Sequence, residues 1–291
     1  MSNRIPSPLV ETDWLARHLG EPDLRILDCS VLMLPTPDGA YAFRAARAEW
    51  EQGHIPGSDF VDAMAELADK RSRLPMMMPP AEEVAEALGA HGVGEGTRVV
   101  LYDRGNHSWA ARVWWMLRAC GFDDAAVLNG GWIKWVAEQR PISSERASFP
   151  KTRFSVRPRP ELFVGRDDVL RALRTGDKTV VNALSPEEHS GKVTRLPRPG
   201  RIAGSTNVYY QALLDPKTHA FLPVPVLRKL FADAGVTNAK RVITYCGGGI
   251  AASSDALALT LLGANAAVYD GSLVEWTADP SLPMETDHPG A

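Results

Sequence analysis

Short apolar runs separated by longer amphipathic stretches recur along the chain. Leu24-Arg25-Ile26-Leu27-Asp28, Arg98-Val99-Val100-Leu101-Tyr102, Thr179-Val180-Val181-Asn182 and Arg241-Val242-Ile243-Thr244-Tyr245 are rich in β-branched, aliphatic and aromatic residues. Runs of this length and composition read as buried strands of a parallel sheet. The intervening stretches carry helical spacing. Ala251 to Leu262 puts Ala256, Leu259 and Leu262 on one face, and Gly263 stands where a C-cap glycine is expected. Lys240 and the glycines after Tyr245 bound the last strand. Strand alternating with helix predicts an α/β class with a mainly parallel sheet covered on both faces.

The pattern occurs twice. Val10 to Asp28 and Val164 to Asn182 both span 18 positions from a first apolar residue, through a short helix, to the end of a strand. Gly53-His54-Ile55-Pro56-Gly57-Ser58 is echoed by Gly200-Arg201-Ile202-Ala203-Gly204-Ser205, and Arg98–Asp103 by Arg241–Cys246. Asn129-Gly130-Gly131-Trp132 answers Asp270-Gly271-Ser272-Leu273, each followed by a tryptophan six positions after its first residue. Matched signals in one order argue for duplication. Two similar domains are expected, 1–140 and 161–291, joined by a proline-rich, charged linker over 141–160.

Bulk properties narrow the function without naming it. The 291 residues suffice for two domains with ample cores. With 45% hydrophobic and 23% charged residues and a formal net charge of −3, the chain has no electrostatic footprint for nucleic acid and no basic run suited to a membrane surface. No window approaches the roughly 20 apolar residues of a spanning helix, and the opening MSNRIPSPLVETDWL has no apolar segment of signal-peptide length. Three cysteines without a CxxC or a His/Cys cluster support neither a disulfide framework nor a zinc site. A reducing cytoplasm fits that usage.

One cysteine stands apart. Cys246 follows a strand and precedes Gly247, Gly248, Gly249, Ile250 and Ala251, where a helix begins. A strand–loop–helix turn aims several backbone N–H groups into one concavity, and the helix adds its positive end, so an anion is held there. Glycines permit the backbone angles such a ring needs. A cysteine at its head is expected to ionise easily and act as a nucleophile. The plainer reading is a small buried cysteine beside a turn that lets strand and helix pack closely. Cys29, at a strand end, and Cys120, in a helical run, have no such loop and read as core residues. In the first half the matching position is Asp103, followed by Arg104-Gly105-Asn106-His107. A carboxylate there is repelled by the anion that the ring is built to hold, or stands in for that ligand; Asp103 and His107 read as relics, domain-interface residues or a cleft wall. Only the second half reads as catalytic.

HIPGS at 54–58, YDRG at 102–105, RVWWML at 112–117, LNGGW at 128–132, YCGGGIA at 245–251 and YDGSLVEW at 269–276 together resemble the tandem-domain rhodanese superfamily of thiosulfate and 3-mercaptopyruvate sulfurtransferases. The resemblance covers nearly the whole chain, with an inactive first domain and an active second one. It implies that Cys246 takes sulfane sulfur from a small anionic donor as a persulfide and passes it to cyanide, a thiol or thioredoxin, without metal or organic cofactor, in a monomer or weak dimer. The loop lacks the basic residues usual in thiosulfate enzymes and is similar to the CGSGVT loop of mercaptopyruvate enzymes, with Gly248 in place of serine. The aspartate and histidine accompanying that serine fall at Met64 and Met76. Where the family has a first clamp arginine, this chain has Glu188; Arg195 or Arg198 could supply the second, with Arg201 replacing the turn histidine. An arginine fork suits a carboxylate or sulfonate. The other reading of Arg195, Arg198 and Arg201 is a solvated basic loop.

Three rivals remain. A cysteine phosphatase would close the loop with arginine six positions after the cysteine, where this chain has Ala252. A Cys–His hydrolase lacks an identifiable group to orient His189. A non-catalytic persulfide carrier or redox-sensing module is compatible with the same loop.

Overall fold

The computed structural model describes residues 4–36, 41–236 and 241–287; Lys240 and the chain ends lie outside them. The chain forms two compact units. The first comprises residues up to Lys70, Met78–Arg159 and Asp215–Phe221; the second comprises Arg71–Met77, Pro160–Leu214 and the chain from Leu222 onward.

The first unit runs β1 (Leu9–Val10), α1 (Thr12–His18), β2 (Leu24–Asp28), β3 (Val31–Pro35), β4 (Tyr41–Ala45), α2 (Arg47–Gln52), β5 (Ser58–Phe60), α3 (Ala81–Ala90), β6 (Arg98–Tyr102), α4 (Ser108–Ala119), β7 (Ala125–Leu128) and α5 (Gly131–Ala137). The second runs β8 (Phe163–Val164), α6 (Arg166–Thr175), β9 (Lys178–Asn182), α7 (Pro186–Ser190), β10 (Arg201–Ile202), β11 (Thr206–Asn207), α8 (Val224–Asp233), β12 (Arg241–Tyr245), α9 (Ala251–Leu261), β13 (Ala266–Tyr269), α10 (Ser272–Trp276) and β14 (Met284–Glu285). Each unit holds a five-stranded parallel sheet, ordered β1-β7-β6-β2-β5 in the first and β8-β13-β12-β9-β11 in the second. The two orders are the same, position for position, which establishes the duplication structurally. The central strands β2, β6 and β7 are buried along their whole length, as their continuous apolar runs require.

The repeated sequence signals have repeated physical causes. Tyr102 ends β6, and its hydroxyl meets Ser58 Oγ at 3.1 Å and the Ile55 amide at 3.5 Å. Tyr245 ends β12 and meets Ser205 Oγ at 2.7 Å and the Ile202 amide at 3.1 Å. The GxIxGS turn thus supplies partners for a tyrosine hydroxyl that would otherwise be buried unpaired. Trp135 and Trp276, both fully buried, donate their indole N–H to the carbonyls of Pro141 and Pro283. Each anchors an apolar cluster, and truncating either to alanine would cost about 3–5 kcal/mol.

The stretch expected as a linker packs instead along the first unit. His54 and Ser143 exchange main-chain bonds, and Thr152 bonds Gly89, Arg153 bonds Glu95, and Arg157 and Arg159 bond Cys120 and Ala119. Its prolines favour an extended chain, and main-chain groups of His54, Gly89, Glu95, Ala119 and Cys120 satisfy its backbone and fix it. A further clasp belongs to this unit alone: His91 lies 2.6 Å from Asp59 and 2.7 Å from Glu66. Burial alone would lower the imidazole, yet the two carboxylates raise it to about 9.

Candidate active site

Because every strand of the second sheet runs parallel, the loops after β9, β11, β12 and β13 gather at one edge. This carboxyl edge is where open α/β sheets bind ligands. Cys246 stands at its centre, after β12 and before α9. The loop's polarity is set from outside. Leu273 N–H donates to the Cys246 carbonyl at 3.0 Å and Val274 N–H to that of Gly247 at 2.9 Å, while Ser253 Oγ donates to Gly249 O at 3.0 Å. With its carbonyls drawn outward, the loop turns amides inward: the main-chain N–H groups of Ala252, Gly248, Gly249 and Ala251 each favour the charged form of the Cys246 sulfur. Gly249 takes φ +78°, the left-handed angle that glycine tolerates and that closes the ring. Thr244 Oγ1 bonds the Ala252 carbonyl at 2.9 Å, fixing the start of α9 against the strand.

The thiol departs from expectation in one respect. Cys246 is 2% exposed, and burial pushes its thiol above the ordinary value although the four amides pull it down. Desolvation of the charged form outweighs the cup in this closed geometry. Burial and the loop amides thus act on the thiol in opposite directions, with burial the larger. Space lies over it, since a Cβ placed on Gly247 or Gly248 would meet nothing within 4 Å.

Ser272 escaped the sequence reading. Its hydroxyl accepts the Cys246 N–H at 3.1 Å and donates to Tyr269 O at 2.8 Å, in a backbone with φ +47°. The matching residue of the first unit is Gly131, at φ +50°, where a Cβ would sit 2.6 Å from the Asp103 carbonyl oxygen. A non-glycine held in that region costs on the order of 1–3 kcal/mol. The signal was present in the repeat, as a serine where the other copy has glycine.

The arginines separate. Arg198 is a correction: its guanidinium donates to the main-chain carbonyls of Trp276, Thr277, Asp279 and Leu282, so it caps the end of α10 and is not a substrate clamp. Arg201 pairs with Asp287 at 2.8 Å and Glu285 at 3.5 Å, on the β10–β14 ribbon. Arg195 lies exposed in the loop after α7; burial, then Glu188 and Glu187, push the Tyr209 hydroxyl up, and Arg195 opposes them. Glu188 itself closes a capping box with Ser185. His189 has the orienting partner that the sequence concealed, with Nδ1 3.2 Å from Asn182 Nδ2. Burial and then Arg201 lower it to about 4, too weak a base to take a proton from a thiol. Cys29 and Cys120 are buried, and burial raises both thiols, Cys120 to about 12.

In the first unit the same cup is already filled. The Asp103 carboxylate accepts main-chain N–H bonds from Gly105 at 2.9 Å and from His107, Trp109 and Ala110 at 3.1 Å each. The side chain stands in for the anion. Arg104 folds away to Asp28, the Gly53 carbonyl and the face of Trp132. Among the described residues no group of three or more His, Cys, Asp or Glu is placed to hold a metal, and no helix is long and apolar enough to cross a membrane.

The comparisons agree with this geometry. The model of the rhodanese-like domain matches residues 11–138 and 166–279, one match in each half. The 3-mercaptopyruvate sulfurtransferase of Escherichia coli K12 is 33% identical over 281 residues, 95% of this chain and 97% of that one. The sulfur carrier protein TtuD of Thermus thermophilus is 32% identical, over 93% of this chain and 94% of that one. The crystal structure of SseA from Escherichia coli, a 3-mercaptopyruvate sulfurtransferase, superposes with a TM-score of 0.80 at 32% identity, covering 91% of this chain and 98% of that one. With a match in each half and a full-length relative at 33% identity, the chain belongs to the rhodanese family, as a tandem of two rhodanese-like domains.

Proposed function

We propose that this protein is a sulfurtransferase that draws sulfane sulfur from a small anionic donor onto Cys246 and delivers it to a thiol or cyanide. The observation that carries the reading is Cys246 at the head of a glycine loop between β12 and α9, whose carbonyls at Cys246, Gly247 and Gly249 are drawn outward by Leu273, Val274 and Ser253. With 3-mercaptopyruvate, the cysteine sulfur attacks the donor sulfur and the carbon–sulfur bond breaks. The electron pair leaves as the pyruvate enolate, which takes up the thiol proton as pyruvate. With thiosulfate, the sulfur–sulfur bond breaks and sulfite leaves. In both cases Cys246 is left as a persulfide, whose anion the cup holds until an acceptor removes the outer sulfur, a double displacement.

A loop without a basic side chain favours the singly charged donor, 3-mercaptopyruvate, over thiosulfate. Arg195, exposed in the loop after α7, and Arg201, on the β10–β14 ribbon, are the candidates to meet its carboxylate. Thioredoxin is a candidate acceptor, the cytoplasm the compartment, and a monomer or weak dimer the assembly. The test compares pyruvate and sulfite release from the two donors with cyanide present, and weighs the Cys246 peptide for one added sulfur after donor exposure. Turnover of neither donor sinks the reading. A second reading is favoured by the likeness to TtuD: Cys246 as a persulfide carrier loaded by a partner. Failure with both donors, together with sulfur uptake from a desulfurase, selects it.

A further inference from the structure

The filled cup of the first unit does more than lie idle. Asp215–Phe221 comes from the second half of the sequence but packs within the first unit. It forms a preshaped tongue. Leu222 N–H bonds Leu213 O and Asp215 N–H bonds Ala220 O, both at 2.8 Å, while Asp215 Oδ1 accepts from the amides of Lys217 and Thr218. The tongue grips the degenerate loop at several points. Phe221 N–H donates to Asn129 Oδ1 at 2.8 Å, His219 Nδ1 to the Gly105 carbonyl at 3.0 Å, and His107 Nε2 to the His219 carbonyl at 2.6 Å. The rings of His107 and Phe221 stack with centroids 5.4 Å apart. Both histidines at this contact hold left-handed backbones, φ +65° at His107 and +56° at His219. Such strain persists only where surrounding bonds enforce it.

The tongue's root belongs to the active edge. Tyr210 N–H bonds the Ala183 carbonyl at 3.0 Å and Ala183 N–H bonds the carbonyl of Tyr245, the residue before Cys246, at 2.8 Å. The turn Tyr210–Leu213 packs against α9. We propose that the degenerate loop, closed on Asp103, is the anchor of the tongue Leu213–Leu222, and that through the tongue His107 and Asn129 act as positioning residues for the rim segment Tyr209–Leu213. The kinetic half of this inference rests on the sulfurtransferase reading; the anchoring half does not.

The experiment uses the full-length protein and the variants Asn129→Ala, His107→Ala and, from the tongue side, Phe221→Ala. Hydrogen exchange read by mass spectrometry is expected to quicken about ten-fold over Thr218–Leu222 in each variant, with the β12–α9 peptide unchanged. The KM for 3-mercaptopyruvate is expected to rise about five-fold while kcat stays within about two-fold, as lost positioning of bound donor requires. Unchanged exchange at the tongue overturns the anchor. Faster exchange with an unchanged KM overturns the positioning role. A parent enzyme that turns over no donor rejects the sulfurtransferase reading and leaves exchange to decide the anchor. Should Asn129→Ala and His107→Ala lose protection across β6 as well, Phe221→Ala, which replaces no residue of the loops after β6 and β7, decides both halves.

Discussion

The loops headed by Asp103 and Cys246 follow matching strands, precede matching helices and turn their amides inward, yet one is occupied by its own carboxylate and the other by a thiol. Four N–H bonds to Asp103 convert an anion receptor into a fixed piece of framework. Around Cys246 the amides of Gly248, Gly249, Ala251 and Ala252 favour a charged sulfur instead, and there is free space above Gly247 and Gly248. One atom at the head of the loop therefore decides whether the cup is a building part or a reaction vessel.

The comparison breaks first at its head. Cys246→Ser is expected to abolish sulfur transfer with the fold retained, since a hydroxyl cannot form the persulfide; activity above a tenth of the parent in the cyanide assay would refute it. Next comes the mouth. Gly248→Val meets no neighbour and no positive φ, so persulfide formation should fall about a hundred-fold while the thermal midpoint moves by less than about 3 °C. Matching losses of rate and stability would assign the glycine to packing.

In the other cup the consequences invert. Asp103→Ala orphans four amides and is expected to lower stability by about 3 kcal/mol in denaturant titration, with kcat within about three-fold of the parent. A kcat lower by orders of magnitude would return chemistry to the first unit. The smallest effect separates the units by pH. His91 is held at about 9, above its ordinary 6.5, so the Asp59–His91–Glu66 clasp contributes fully below about pH 6.5 and is lost as pH rises through about 9. Allowing for solvent screening, about 2 kcal/mol should disappear over that window and His91→Gln should flatten it. A parent stability that is level from about pH 6 to 9.5 would remove the clasp from the account.

Much of this was legible in the chain because it depends on local pattern. Arg241–Tyr245 is a strand with the expected bounds, and α9 begins at Ala251 as read, ending one residue before Leu262. The repeat gave the paired sheets, since each echoed residue, whether Tyr102 and Tyr245 or Trp135 and Trp276, meets a partner supplied by its own copy. What the chain hid depends on distant partners. Arg198 looks like any basic loop residue until the end of α10 presents four carbonyls to it. The linker looks free until Gly89, Glu95 and Cys120 offer it bonds. The acidity of Cys246 was misjudged because a loop sequence reports its amides but not the depth at which they lie.

That depth matters for life in an oxidising moment. A sulfur only 2% exposed is a poor target for peroxide.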